Sequence, residues 1–193
     1  MLNDSEASSV SVSYLLGKRE IPSLPVRVTN WFIMTSMDYK TYICAMPYTK
    51  ISKAFNELTV YQLYDLLRLR SEVFVVEQNC VFLDADNKDQ KCQHVLIYDG
   101  DTLVAGARVV PAGTSYTEVS IGRIISSSLV RGKGVGKILT QYAIDECRRL
   151  HGNVPIRIGA QCYAIKFYEQ LGFVVDGEVY DEDGIDHVEM ILN

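Results

Sequence analysis

The sequence predicts an α/β (α+β) fold, a mixed sheet of about six or seven strands with helices packed on its faces. Two observations carry this expectation. Short β-branched and aromatic runs are joined in one place by a hairpin turn and elsewhere by stretches of helical spacing. Past the middle of the chain, at the glycine-rich string Arg131 to Gly136, the apolar period changes from that of a strand to that of a helix.

The elements follow in order from about Tyr48. Thr59-Val60-Tyr61-Gln62 has the form of a capping box, in which threonine and glutamine side chains satisfy each other's backbone N–H groups at a helix start. Val60, Leu63, Tyr64 and Leu67 continue at helical spacing, so a helix covers roughly 60–71. Val73 to Val76 is a short apolar run that fits either a strand or a buried helix, and an acidic loop with Asp84, Asp86 and Asp89 follows. His94 to Tyr98 reads as a strand, Asp99-Gly100 as a hairpin turn and Leu103 to Val110 as the return strand, ended by Pro111. Thr117 to Ser126 is a further strand. Leu139, Ala143, Cys147 and Leu150 lie on one face of a helix over about 136–151. Val154 to Ile158 is a short strand. Ala164, Phe167, Tyr168 and Leu171 form a last helical stripe, stopped by Gly172. Phe173 to Val179 and His187 to Leu192 close the chain as two strands.

The turn Arg131-Gly132-Lys133-Gly134-Val135-Gly136-Lys137 joins a strand to a helix. A helix start has N–H groups without intrahelical partners and a positive dipole end. Glycines let the backbone approach a ligand closely. Three cations in an otherwise acidic chain complete an anion cradle suited to a diphosphate. It is not a P-loop, since G-x-x-x-x-G-K-[ST] does not occur, and its glycine spacing differs from the dinucleotide fingerprint. A tight turn without a ligand is the plain alternative.

Arg131-x-x-Gly134-x-Gly136 resembles the Q/R-x-x-G-x-G/A motif by which the GNAT superfamily of N-acetyltransferases binds the acetyl-CoA diphosphate. Ile121-Gly122-Arg123-Ile124-Ile125 resembles that family's fourth strand, and Ala164-x-x-Phe167-Tyr168-x-x-x-Gly172-Phe173 its final helix and next strand. Leu69-Arg70, Val73 to Cys80 and Glu182-Asp183-Gly184-Ile185-x-His187 are similar to the ElaA-like branch. The resemblance spans roughly residues 48–193. It implies the GNAT fold, with a mostly antiparallel twisted sheet and helices on both faces.

The resemblance also implies direct acetyl transfer from acetyl-CoA, as co-substrate and without a metal, to an amine. Backbone groups of Ile124, Ile125 and Ser126 would hold the pantetheine arm and polarise the thioester. Residues 131–137 (Arg131, Gly132, Lys133, Gly134, Val135, Gly136 and Lys137) would take the diphosphate. Gln161 stands where many relatives have an asparagine at the start of the last helix. Tyr168 matches the tyrosine that protonates the departing thiolate, although on pattern alone it is a core aromatic. For a base, Glu77, Glu118, Asp183, His94 and His187 are candidates, with Glu77 and His187 chosen for the catalytic set; relatives often use water alone. An acyl-homoserine-lactone synthase and a non-catalytic acyl-CoA-binding regulatory module are the alternative readings.

Composition bounds the rest. The 193 residues carry 19 basic and 24 acidic side chains, a formal charge of −5, which argues against broad nucleic-acid binding. No apolar run approaches the ~20 residues of a membrane span. Trp31 to Met34 is too short for a signal-peptide core. Five cysteines without a C-x-x-C pair suggest free thiols in a reducing cytoplasm, and neither a disulfide framework nor a zinc site. Residues 1–46, rich in serine and broken by Pro22 and Pro25, read as a weakly ordered extension or as non-native upstream sequence, with Met34, Met37 and Met46 as alternative starts. Residues 47–193 then form the acyltransferase domain. The seven acids of residues 176–189, together with Asp84, Asp86 and Asp89, form either an acidic rim steering a cationic small-molecule or peptide amine, or a solvated surface. No metal, nucleic-acid or membrane partner is expected, and a homodimer is compatible with the reading.

Overall fold

A computed structural model describes residues 48–193. The expectations for residues 1–46 lie outside the described residues. In chain order the elements are β1 (Thr49–Ala54), α1 (Val60–Arg70), β2 (Gln93–Asp99), β3 (Thr102–Val110), β4 (Val119–Ser126), α2 (Val135–His151), β5 (Ile156–Gln161), α3 (Ile165–Glu169), β6 (Val174–Val175), β7 (Tyr180–Glu182) and β8 (Ile185–Leu192). The strands form one sheet in the order β1-β2-β3-β4-β5-β8-β6, with β7 also on β8.

The capping box forms as expected. Thr59 Oγ1 accepts from Gln62 N and Gln62 Oε1 from Thr59 N, both at 3.1 Å. Helix α1 then runs directly into a π-helical segment, Ser71–Glu77, whose last step is Gln78 N to Val73 O at 3.2 Å. The run Val73 to Val76 is therefore helical. The wider turn rotates Glu77 and Gln78 relative to α1, as π segments often do beside functional sites.

Burial on both faces explains the continuous apolar run of β2. Val95 and Ile97 pack into the core layer under α2, beside Leu139, Ala143, Ile144 and Cys147. Leu96 and Tyr98 point the other way, against Leu66 and Leu69 of α1. A period of two thus delivers apolar side chains to two different helices. Each such fully buried side chain contributes about 1.5–3 kcal/mol.

The described sheet has eight strands, against the six or seven expected. The unexpected β1 is an edge strand with Ile51 as its one large aliphatic residue and lysines at positions 50 and 53. Such chemistry protects an edge from association and hides it from a hydrophobicity reading. The hairpin turn sits one residue later than expected, on Gly100 and Asp101, because Asp99 pairs with Thr102. The strand expected at Val154 to Ile158 begins at Ile156 and extends to Gln161, which also caps the short helical turn Cys162–Ala164 leading into α3. Phe173 to Val179 yields only the two-residue β6, after which Gly177, at φ 148°, turns the chain toward β7.

One junction positions the site. β4 and β5 are parallel and pair only through Val119↔Ile156 and Ser120↔Arg157. Beyond these, β4 stays on β3 as far as Ser126, and β5 stays on β8 as far as Gln161. The sheet splits there, and the facing edges of the two strands are left without strand partners.

Candidate active site

The split opens into a cleft of about 780 Å³. Ser120 to Ser126 line one wall, and Gly159, Gln161, Ala164 and Tyr168 line the other. Glu77, Arg131 and His187 also face it. The structure thus gathers Ile124, Ile125, Ser126, Arg131, Gln161, Tyr168, Glu77 and His187 around one space. Gln78 and Cys80 reach across it: Gln161 Nε2 lies 3.5 Å from Gln78 Oε1, and Cys80 Sγ lies 3.6 Å from the Asp183 carbonyl oxygen.

The β4 wall carries a bulge. Gly106 pairs with Ile125 and Arg108 with Gly122, so two residues of β4, Arg123 and Ile124, stand opposite Ala107 alone. Arg123 adopts φ 51°, a left-handed conformation that costs a non-glycine residue about 1–2 kcal/mol. The sequence reading did not single out Arg123.

The glycine turn lies beyond the open end of β4. Gly132 and Gly134 have φ of 75° and 80°, and the space a Cβ would take at each is empty. Gly134 is the N-cap of α2, and the first α-helical hydrogen bond runs from Ile138 N to Gly134 O at 3.2 Å. The N–H groups of Val135, Gly136 and Lys137 precede that ladder at the positive end of a 17-residue helix. Residues 131–134 and Lys137 are exposed. At Gly136 an added Cβ would touch the Phe167 ring at 3.8 Å, which sets the start of α2 against α3. Arg131 folds back over the end of β4, donating from Nε and Nη2 to the Ser126 carbonyl at 3.2 and 3.0 Å. It also pairs with the Glu77 carboxylate. An exposed pair of this kind contributes only about 0–1 kcal/mol, so an incoming anion can displace it.

Tyr168 lies between Phe167 and Phe173 in edge-to-face contacts with centroids 5.0 and 6.0 Å apart. Burial, with a smaller contribution from Tyr163, pushes its phenol up to about 12, so it holds its proton throughout the neutral range. His187 Nδ1 lies 2.8 Å from the Ile185 carbonyl, an acceptor only, so that nitrogen is the donor and Nε2 is the one left without a protein partner among the described residues. The ring stacks on Tyr180. Tyr180 and Tyr116 bring their hydroxyls to Gly159, where a Cβ would meet each at 2.9 Å.

The remaining candidates have other partners. His94 is fully buried, contacts the Asp89 carbonyl at 3.0 Å, and burial lowers its pKa, which makes it a neutral core residue. Glu118 grips Arg157 at 2.7 and 3.0 Å, which holds its carboxyl below the ordinary range. Asp183 is an exposed turn residue at φ 54°. Asp84, Asp86 and Asp89 do not form a free acidic rim. They bind Arg70, Arg108 and Arg123, with Arg70 only 1 % exposed. Three of the seven carboxylates of residues 176–189 also have side-chain partners: Asp176 and Glu189 join Glu118 on Arg157, and Glu182 accepts from the Tyr180 hydroxyl at 3.4 Å. A signal for the Arg70 pairing was present: Leu66, Leu69, Arg70 and Val73 share one helical face, which buries the arginine. Among the described residues no group of three or more His, Cys, Asp or Glu side chains could hold a metal ion.

A split sheet with an exposed glycine-turned helix start at its mouth defines an acyl-CoA transferase fold, and comparison with known proteins agrees. Residues 71–193 match the family model described as an acetyltransferase (GNAT) domain. The protein ElaA of Escherichia coli K12 is 42 % identical over 137 residues, covering 70 % of this chain and 90 % of that protein. The crystal structure of Escherichia coli ElaA superposes with a TM-score of 0.72 over 76 % of this chain and 99 % of that one, at 38 % identity. That of an acyl-CoA N-acyltransferase from Pseudomonas aeruginosa has the same TM-score and coverage at 36 % identity. The chain belongs to the GNAT acetyltransferase family, whose members are acyltransferases that use acyl-CoA as co-substrate.

Proposed function

We propose that the chain is an acetyl-CoA-dependent N-acyltransferase that moves an acetyl group directly from the thioester to the amine of a small-molecule or peptide acceptor. The observation that carries this reading is the separation of β4 from β5 beside the exposed glycine turn. It supplies unpaired strand edges for a pantetheine arm and free helical N–H groups for a diphosphate, in continuous chain order.

In this reading Ile124, Ile125 and Ser126 hold the arm and donate to the thioester oxygen; backbone donors are fixed before charge develops there. Arg131 to Lys137 take the diphosphate, with Arg131 exchanging Glu77 for the ligand. Gln161 lines the opposite wall. An acceptor amine with pKa ≈ 10.4 is about 3.4 units, or about 4.6 kcal/mol, from its neutral form at pH 7. His187 Nε2 is the base we assign, since its ring lines the cleft and its other nitrogen is fixed on the Ile185 carbonyl. The amine nitrogen of the neutral acceptor bonds to the carbonyl carbon, the C–S bond breaks, the amine proton passes to His187, and the thiolate takes its proton from the Tyr168 hydroxyl, which regains one from water as His187 releases its own to solvent. We place the reaction in the cytoplasm. The described cysteines, Cys80, Cys92, Cys147 and Cys162, are free thiols, and no described helix is long and apolar enough to cross a membrane.

The test is acetyl-CoA consumption over polyamines, amino acids, aminoglycosides and basic peptides, read by thiol release. At least one amine should accelerate release well above hydrolysis. Protein that binds CoA by calorimetry but releases no thiol with any acceptor is a binding module instead.

A further inference from the structure

We infer that Asp84 is a positioning residue for acyl transfer, acting through Arg123 to hold the β4 bulge that presents Ile124 and Ile125 to the cleft. The inference rests on the acyltransferase reading above.

Arg123 stands at φ 51°, where an arginine backbone does not settle by itself. Its side chain shows what keeps it there. Nε donates to Asp84 Oδ1 at 2.7 Å and Nη2 to the Asp84 main-chain oxygen at 3.3 Å. The guanidinium also lies over the Phe74 and Phe82 rings, 5.8 and 5.4 Å from their centroids, and within 3.5 Å of the Asp86 carboxylate. Asp84 is fixed from behind in turn. Arg70, buried on the inner face of α1, binds Asp84 Oδ2 at 2.7 Å and its carbonyl at 2.9 Å. One carboxylate thus links a rigid helix to the strained residue of a strand.

The sheet does not do this work alone. The ladder with β3 registers neither Arg123 nor Ile124, and β5 has parted from β4 two residues before the bulge begins. The direction of Ile124 therefore depends on the arginine before it, and the arginine depends on Asp84. Misplacing a positioned group by about 1 Å can slow a reaction ~100-fold, so loss of the clamp acts on turnover and not only on stability.

The experiment compares wild type with Asp84→Ala, Arg123→Ala, Arg123→Gly and the double variant Asp84→Ala/Arg123→Gly. It measures kcat, KM for acetyl-CoA, Tm, and the carbonyl stretch of bound ¹³C-labelled acetyl-CoA. Asp84→Ala and Arg123→Ala should lower kcat ~10- to 100-fold, with KM within about threefold, and return the carbonyl stretch toward its value in free acetyl-CoA. Glycine accepts φ 51° without strain, so Arg123→Gly should lose less than Arg123→Ala. In the Arg123→Gly background Asp84→Ala should lower Tm again, because Arg70 loses one of its two carboxylate partners, yet leave kcat unchanged. Where Asp84→Ala does not fold, Arg123→Ala, whose side chain is partly exposed, carries the same expectation. A lower Tm with wild-type kcat and carbonyl frequency overturns the inference. Wild-type protein that fails to bind acetyl-CoA at all overturns the acyltransferase reading first, and this inference with it.

Discussion

Replacing Gly134 with glutamate separates the backbone role of the glycine turn from its electrostatic one. Gly134 has φ 80° and ψ 1° as the N-cap of α2, and no atom lies within 4 Å of the place its Cβ would take. Alanine there meets nothing and suffers only the left-handed strain of about 1–2 kcal/mol. Glutamate suffers the same strain, but a carboxylate at a helix N-terminus restores about 0.3–1 kcal/mol. Gly134→Glu should therefore destabilise by about 1 kcal/mol, a fall in Tm of roughly 2–4 °C for a chain of this size. Its effect on binding is larger. A carboxylate ~4 Å from a diphosphate charge repels it by about 4 kcal/mol at an effective dielectric of 20, reduced to about 2–4 kcal/mol by salt at an exposed loop. CoA affinity should fall ~30- to 1,000-fold in calorimetry, against less than tenfold for Gly134→Ala. Pantetheine, which lacks the diphosphate, should bind wild type and Gly134→Glu alike. Wild-type CoA affinity in Gly134→Glu, or an equal loss in Gly134→Ala, refutes the diphosphate assignment.

Tyr168→Phe should lower kcat ~10- to 100-fold with little change in acetyl-CoA affinity, as expected for one hydrogen bond to a developing thiolate; unchanged turnover would make the tyrosine a packing residue only. Because burial raises the Tyr168 phenol to about 12, its neutral form contributes fully below about pH 10 and that stability is lost between about pH 10 and pH 12. Urea titrations across that window should show a steeper loss in wild type than in Tyr168→Phe. Asp89 binds Arg70 at 2.8 Å and Arg108 at 3.0 Å; burial by itself would raise its carboxyl, but the two arginines hold it below the usual range. Asp89→Asn should cost about 3–5 kcal/mol at pH 7 by urea denaturation. The gap should narrow as pH falls below about 4, where the unfolded chain takes up a proton that the folded carboxylate resists; a pH-independent gap would contradict this account. Deleting residues 1–46 leaves β1, which starts at Thr49, intact, and we expect the shortened chain to stay folded and bind CoA; an insoluble product would show that the domain boundary lies earlier.

The elements legible in the sequence are those with local causes. The capping box at Thr59, the stripe Leu139 to Cys147 and the continuous β-branched and apolar runs 94–98 and 103–110 each show in residue type and spacing over a few positions. Strand β1 escaped because its single large aliphatic residue makes no period, and β6 is shorter than the expected 173–179 because side-chain pattern does not report where a ladder stops. Gln161 shows the same limit: that the strand runs as far as this helix cap is decided by β8, twenty-six residues later, through the pair Gln161↔His187.

The site divides along the same line. The proposed anion cradle is local in origin, since glycines at positive φ ahead of an amphipathic helix suffice to leave N–H groups without intrahelical partners. Tertiary structure alone decided where β4 and β5 part, which carboxylates are taken by Arg70, Arg108, Arg123 and Arg157, and which histidine faces the cleft. His94 and His187 are both strand residues, and their sequences do not separate them. Burial makes one a neutral core group, and the cleft beside β8 gives the other an open nitrogen, because solvent access and partner choice belong to the packed molecule and not to any segment of the chain.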